Sequence, residues 1–204
     1  MRTMIRNVLT AVLAMVLLPG CLTFKEQVFH FDYDTGVLQM DFHDLRSVAD
    51  QKEGGSDLEK DWAELKSVLA KNDEFDPEVV AVKSKDLYQD NDVLSGRAVY
   101  QVKCPKCFPS KLDVLKMIFS DGRWEMFNDE IFLVMHTQDE LGATNGRMFK
   151  TGNNIVYVWP QDQAVFEFSV ATPADKVMGD SLLPKFLSEN KERPGSDAND
   201  SGKK

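Results

Sequence analysis

From residue 27 to residue 33 the chain alternates, with Phe29, Phe31 and Tyr33 on one face and Val28, His30 and Asp32 on the other. Residues 38–43 alternate in the same way, setting Leu38, Met40 and Phe42 against Gln39, Asp41 and His43. A period of two predicts two half-buried strands. The apolar sets fall on odd numbers in the first strand and even numbers in the second. Sharing one buried face therefore requires partners whose numbers sum to an odd value, such as Phe31 with Met40. That register leaves Asp34-Thr35-Gly36-Val37 as the turn, with Gly36 available for a positive φ.

The period then changes. Residues 51–55 read as a loop, and Ser56 with Glu59 three positions on forms a capping box. Leu58, Trp62, Leu65, Val68 and Leu69 recur at helical spacing and predict one apolar stripe reaching residue 71. Pro77 ends that helix; residues 79–82 predict a strand, Asp90-Asn91-Asp92 a turn, and residues 97–103 another strand. Ser110 and Asp113 repeat the cap, and Leu112, Leu115 and Phe119 mark the inner face of a short helix that stops at Asp121-Gly122. Residues 124–127, 131–136, 147–150, 155–159 and 164–170 then predict antiparallel strands, separated by turn sequences such as Asn145-Gly146. A last helix is expected over residues 181–188, limited by Pro184. Residues 189–204 hold no large apolar side chain and read as a disordered tail.

This order predicts a single α+β domain over residues 21–188. The expected architecture is a largely antiparallel sheet of about seven or eight strands, with two or three short helices packed on one face.

The N-terminus obeys a different rule. Arg2 and Arg6 precede eleven uncharged residues, 8–18. The run is short for a membrane span, which needs about 20 residues to cross roughly 30 Å of hydrocarbon. It suits the apolar region of a secretory signal peptide instead. It closes on Leu18-Pro19-Gly20-Cys21. This segment resembles the lipobox of bacterial lipoproteins, with Pro19 standing where that motif usually carries a small residue. The resemblance covers residues 1–22 and implies a signal peptide over 1–20, cut between Gly20 and Cys21. It also implies diacylglycerol on the Cys21 thiol and acylation, palmitate among the chains, of the new amine. Several chains are needed because one acyl chain alone binds a bilayer only marginally. Leu22 stands where an Asp retains enteric lipoproteins at the inner membrane, so the resemblance implies the outer membrane of a Gram-negative cell, the body facing periplasm or exterior. A strand beginning some six residues later would hold the body within about 20 Å of the lipid.

Composition sharpens the picture in two ways. With 43% hydrophobic residues and 13 Phe, the chain can bury a real core. Of the 24 basic residues, Arg2 and Arg6 leave with the signal; the remaining 22 face 33 acidic ones, a formal charge of −11. An acidic chain without a basic stripe repels phosphate backbones, which excludes nucleic acid as a partner.

Two clusters are candidates for chemistry. Cys104-Pro105-Lys106-Cys107 lies between a predicted strand and a predicted helix. There a helix N-terminus and Lys106 would lower a thiol pKa, as in oxidoreductases. The Pro follows the first Cys rather than preceding the second, and no βαβ unit leads into the motif. A zinc site would need about four ligands, and His30, His43 and His136 show no matching spacing. A disulfide between Cys104 and Cys107, permitted in an oxidising envelope, is the plainest of the three readings. In the first hairpin, His30 would lie opposite Asp41 with His43 diagonal, a trio able to bind metal or act as acid and base. The outward face of a sheet carries such residues in any case, and a solvated face is the reading carried forward. No catalytic constellation, phosphate loop or calcium loop is present, so neither a catalytic residue, a metal nor a cofactor is expected.

The sequence therefore predicts a lipid-anchored, non-catalytic envelope protein that scaffolds or binds another envelope protein or lipid. The alternatives are a carrier of an apolar ligand in a cavity under the curved sheet, and a thiol-disulfide oxidoreductase using Cys104 and Cys107.

Overall fold

Asp32 decides where the first hairpin turns. Its carboxylate accepts the backbone N–H of Asp34 at 2.9 Å and of Thr35 at 3.2 Å, and its carbonyl accepts that of Gly36 at 2.8 Å. Slight burial opposes the charge, but the hydrogen bonds from Thr35 and Asp34 outweigh it and hold the carboxyl below its usual range. Gly36 takes φ 76°, so the turn is Tyr33–Gly36 rather than residues 34–37. Strands β2 (Glu26–Asp32) and β3 (Val37–His43) pair Asp32 with Val37, Phe31 with Leu38 and His30 with Gln39. The odd sum holds; the register is two residues away from the expected one.

The structure is a computed structural model that describes residues 22–47, 58–136, 140–173, 177 and 179–191. Two-residue strands β1 (Leu22–Thr23) and β4 (Arg46–Ser47) flank that hairpin. Helix α1 (Leu58–Ala70) follows, then β5 (Val80–Asp90) and β6 (Val93–Val102). A 3₁₀ turn (Pro105–Cys107) leads to α2 (Lys111–Ile118), capped as expected by Ser110, whose hydroxyl accepts the Asp113 N–H at 3.2 Å. Then come β7 (Arg123–Phe127), β8 (Glu130–His136), β9 (Glu140–Thr144), β10 (Arg147–Thr151), β11 (Asn154–Pro160) and β12 (Val165–Ala171). The two-residue β13 (Asp180–Ser181) precedes α3 (Leu183–Lys191). Ser56, the expected cap of α1, lies outside the described residues, as do Gly20 and Cys21. Pro184 sits in the first turn of α3, where a missing N–H costs nothing, so the helix continues to Lys191. The expected tail from 189 is thus partly helical: Glu189 accepts from Trp62 Nε1 at 2.6 Å and from Lys66 at 2.7 Å.

All pairings are antiparallel, but the single sheet of seven or eight strands is corrected. The described strands form three sheets: β5-β6-β3-β2-β12-β9, β10-β11-β8-β7 and β1-β4-β13. The chain crosses between the two larger sheets four times, between β6 and β7, β8 and β9, β9 and β10, and β11 and β12; at Asn145-Gly146 it passes directly from the edge strand β9 to the edge strand β10. So many twisted strands, each with an apolar face, bury those faces by folding one sheet over another. The main core draws on both larger sheets and on α2. Phe29 and Phe168 stack with centroids 4.8 Å apart, Phe119 from the end of α2 meets both edge-on, and Trp124, Tyr157 and Trp159 close the far side. The polar tips of these aromatics are satisfied. Trp124 donates to the Phe119 carbonyl at 2.8 Å, Tyr157 to the Ser169 carbonyl at 2.6 Å, and Trp159 to Asn145 Oδ1 at 2.8 Å.

A second cluster occupies the other end of the same inner face. On β6, Ala98, Tyr100 and Val102 enter the main core, while Leu94, of the same parity, joins Leu45, Trp62, Leu65 and Leu182 under α1 and α3. The outer face of the four-stranded sheet has an apolar centre with charged edges: one cross-strand row runs Phe149, Val156, Val134 and Arg123, and the next runs Arg147, Val158, Phe132 and Glu125. Phe149 remains 49% exposed.

Candidate apolar binding site

A cavity of about 80 Å³, partly open to solvent, lies between α1 and the inner face of β3, β5 and β6. The first strand forms one wall with Leu22, Thr23 and Phe24; Leu65, Val68 and Leu69 of α1 form the opposite one. Phe42, Leu87, Gly96 and Ala98 make the floor. Gly96 leaves space because a Cβ there would stand 3.4 Å from both Leu45 and Leu87.

Two cations border this cavity, Lys85 and Arg97, and Lys85 is the buried one. Lys85 is 3% exposed and pairs with Glu74, itself 7% exposed. The ammonium also donates to the Val68 carbonyl at 3.3 Å and to the Lys71 carbonyl, closing the C-terminal end of α1. A cation there opposes the negative end of the helix, so Lys85 is matched by a carboxylate and by two carbonyls. Tyr100 lies in the same environment; burial pushes its hydroxyl pKa up, and the Glu74 charge adds to the shift. Lys85 reaches inward because the β5–β6 ladder slips between Val82 and Ser84. That bulge switches the inward parity from Val80 and Val82 to Lys85 and Leu87.

Other buried polar atoms collect at this end. Asp44 Oδ1, Asp61 Oδ1, Glu74 Oε2 and Ser95 Oγ have no hydrogen-bond partner among the described residues. Asp61 keeps one bond, from Ser47 Oγ, and Asp44 binds Arg46 at 2.9 Å.

The residues singled out from sequence occupy separate places. Cys104 and Cys107 are disulfide-bonded, with Cα atoms 5.3 Å apart and both residues exposed. They edge a shallow groove of about 330 Å³ with Val79, Lys103 and Phe108. The features expected to activate a thiol are elsewhere: α2 begins at Lys111 behind its Ser110 cap, and Lys106 pairs with Asp34 at 2.9 Å. The two-residue register shift breaks up the trio on the outer face. His30 meets Glu167 of β12 at 3.1 Å, Asp41 binds Gln39 at 2.6 Å and Arg97 at 2.5 Å, and His43 lies 3.8 Å from Asp90. Arg97 in turn stacks over Tyr88 at 5.7 Å. These are separate polar pairs, mostly half exposed, with Asp41 buried beneath Gln39 and Arg97. Among the described residues no group of three or more His, Cys, Asp or Glu is placed to hold a metal, and no helix is long and apolar enough to cross a membrane.

Sequence reasoning missed Glu74 and Lys85; it offered a cavity under the curved sheet as one alternative but named none of the residues that line this one. The available signal was the parity switch across Lys83, which marks a bulge rather than the end of a strand. In comparisons with known proteins the chain matches no family model, no curated protein and no solved structure.

Proposed function

We propose that this chain is a bacterial envelope lipoprotein, cut before Cys21 and held to the bilayer by lipid on that residue. Its folded domain is a non-catalytic module that binds or scaffolds another envelope component. One observation supports this most. Among the described residues the first strand starts at Leu22, the residue after the lipobox cysteine, with Leu22 paired to Ser47 and Thr23 to Arg46. A paired strand adjoining the lipidated residue would hold the body against the lipid surface. Leu22 favours the outer membrane in a Gram-negative cell. Phe149, half exposed at the apolar centre of the outer face of the four-stranded sheet, supports the binding half of the proposal.

Cells fed radiolabelled palmitate should label the wild-type chain. Cys21→Ser should abolish the label and block the cut, leaving an unlabelled precursor that keeps residues 1–20. A variant that is processed and sediments like wild type would overturn the anchor. For the binding role, crosslinking in intact cells should give a discrete partner band that Phe149→Asp weakens; no band would count against it.

The cavity beneath α1 favours a second reading, a carrier of an apolar ligand. Native mass spectrometry of protein extracted from membranes would then show a co-purifying lipid, and a clean apo mass would remove the idea.

A further inference from the structure

We infer that the cavity beneath α1 is a seat for an acyl chain, and that the chain it receives is one of those carried by Cys21. This rests on the proposal that Cys21 is lipidated.

The chemistry of the walls selects the occupant. Half-buried Leu22, Phe24, Phe42, Val68, Leu69 and Leu87 present hydrocarbon to the space. Of the two cations on its border, Lys85 directs its ammonium to the Val68 and Lys71 carbonyls and to Glu74. Arg97 donates to Asp41 on the outer face of the sheet. Among the described residues that line the space no cation is left for a carboxylate or phosphate headgroup, which selects an uncharged, flexible apolar group. Size narrows the choice further. The space is about 80 Å³, well above the ~10–15 Å³ that holds one water but below the roughly 150 Å³ of an apolar cavity that takes benzene. That suits a stretch of methylene chain and excludes a whole lipid.

Connectivity then names the source. Leu22 belongs to the wall and is fixed by its ladder to Ser47. Consecutive Cα atoms lie about 3.8 Å apart, so the lipidated residue is one step from the mouth. Any free lipid would compete with a chain covalently held at the entrance, at high effective concentration. A chain seated in the protein is also withdrawn from the bilayer. Because stable anchoring takes more than one inserted signal, the seat would set how many chains hold the membrane and would cover apolar surface while the lipoprotein is in transit.

The test uses the full chain in bacteria fed a palmitate analogue with a diazirine at the end of its tail. After irradiation and proteolysis, mass spectrometry should place the lipid adduct on peptides containing Val68-Leu69 or Leu87 of the same molecule. Gly96→Val and Leu69→Trp, which fill the space from the floor and from α1, should each lose that adduct while keeping the label and the wild-type melting transition. Labelled protein whose adducts fall only on phospholipid, or on peptides away from the cavity, would overturn the seat and leave the anchor standing. Absence of label on Cys21 would overturn both. Two variants guard against one failing to fold.

Discussion

The inner face of the six-stranded sheet carries two different interiors. At one end, Phe29, Phe119, Trp124, Tyr157, Trp159 and Phe168 interlock, and the indole and phenol groups all find acceptors. At the other, α1 and α3 cover Leu45, Trp62, Leu65, Leu94 and Leu182 but leave a cavity, an ion pair and, among the described residues, unpartnered oxygens on Asp44, Asp61 and Glu74, with that of Ser95 on the neighbouring β6 position. Large planar side chains from two facing sheets fill space without polar residue, whereas two short helices over a bulged strand do not. The first interior holds the fold together. The second retains polar groups and space that stability alone would remove, and this makes it the place to look for binding.

Four substitutions bear on that contrast, in descending order of effect. Trp159→Ala should destabilise the domain by about 3–5 kcal/mol in urea unfolding, because it empties a fully buried site at the centre of the aromatic cluster. A loss below about 1 kcal/mol would show that the aromatic cluster does not carry the fold. Lys85→Ala should cost about 3 kcal/mol by leaving Glu74 buried and unpaired. Lys85→Met with Glu74→Gln should recover most of that, and failure to recover would place the cost in the α1 carbonyls instead. Replacing Cys104 and Cys107 together by Ser should lower stability by about 2 kcal/mol, the chain-entropy expectation for so short a loop. That change should leave the second interior untouched, as read by Trp62 fluorescence in a Trp124→Phe, Trp159→Phe background. Ser95→Ala should be neutral or stabilising by up to about 1 kcal/mol, since it removes a buried hydroxyl without a partner. Marked destabilisation would mean that Ser95 Oγ is bonded after all.

Much of the first interior was legible from pattern. The alternation around Phe29, Phe31 and Met40, the Ser110 cap and the strands around Tyr157 and Phe168 lie where the periods place them. Parity fixed only that paired numbers sum to an odd value. The choice between two allowed registers was made by the Asp32 side chain folding onto Asp34 and Thr35, a local bond that alternation does not encode. The second interior was poorly legible for similar reasons. β1, β4 and β13 are two residues each, too short to have a period. β9 reads as polar and contains Gly142, which lets the strand approach Ser169 closely enough for Ala143 N–H to donate to its hydroxyl at 2.8 Å. Lys85 looks like a solvent residue until the bulge turns it inward. The division into two large sheets was hidden because the chain crosses between them four times, once at Asn145-Gly146, where an ordinary hairpin signal marks a passage between edges.

The order of strands also sets a load path. A pull applied at the N-terminus reaches first the two ladder pairs of Leu22 and Thr23, then β2, which is flanked along its whole length by β3 and β12. Those short pairs would peel before the embedded strand sheared. β4 holds β1 on one side and β13 on the other, so the same clasp grips the entrance and the exit of the chain. Tension would loosen both ends together while the aromatic interior stayed intact.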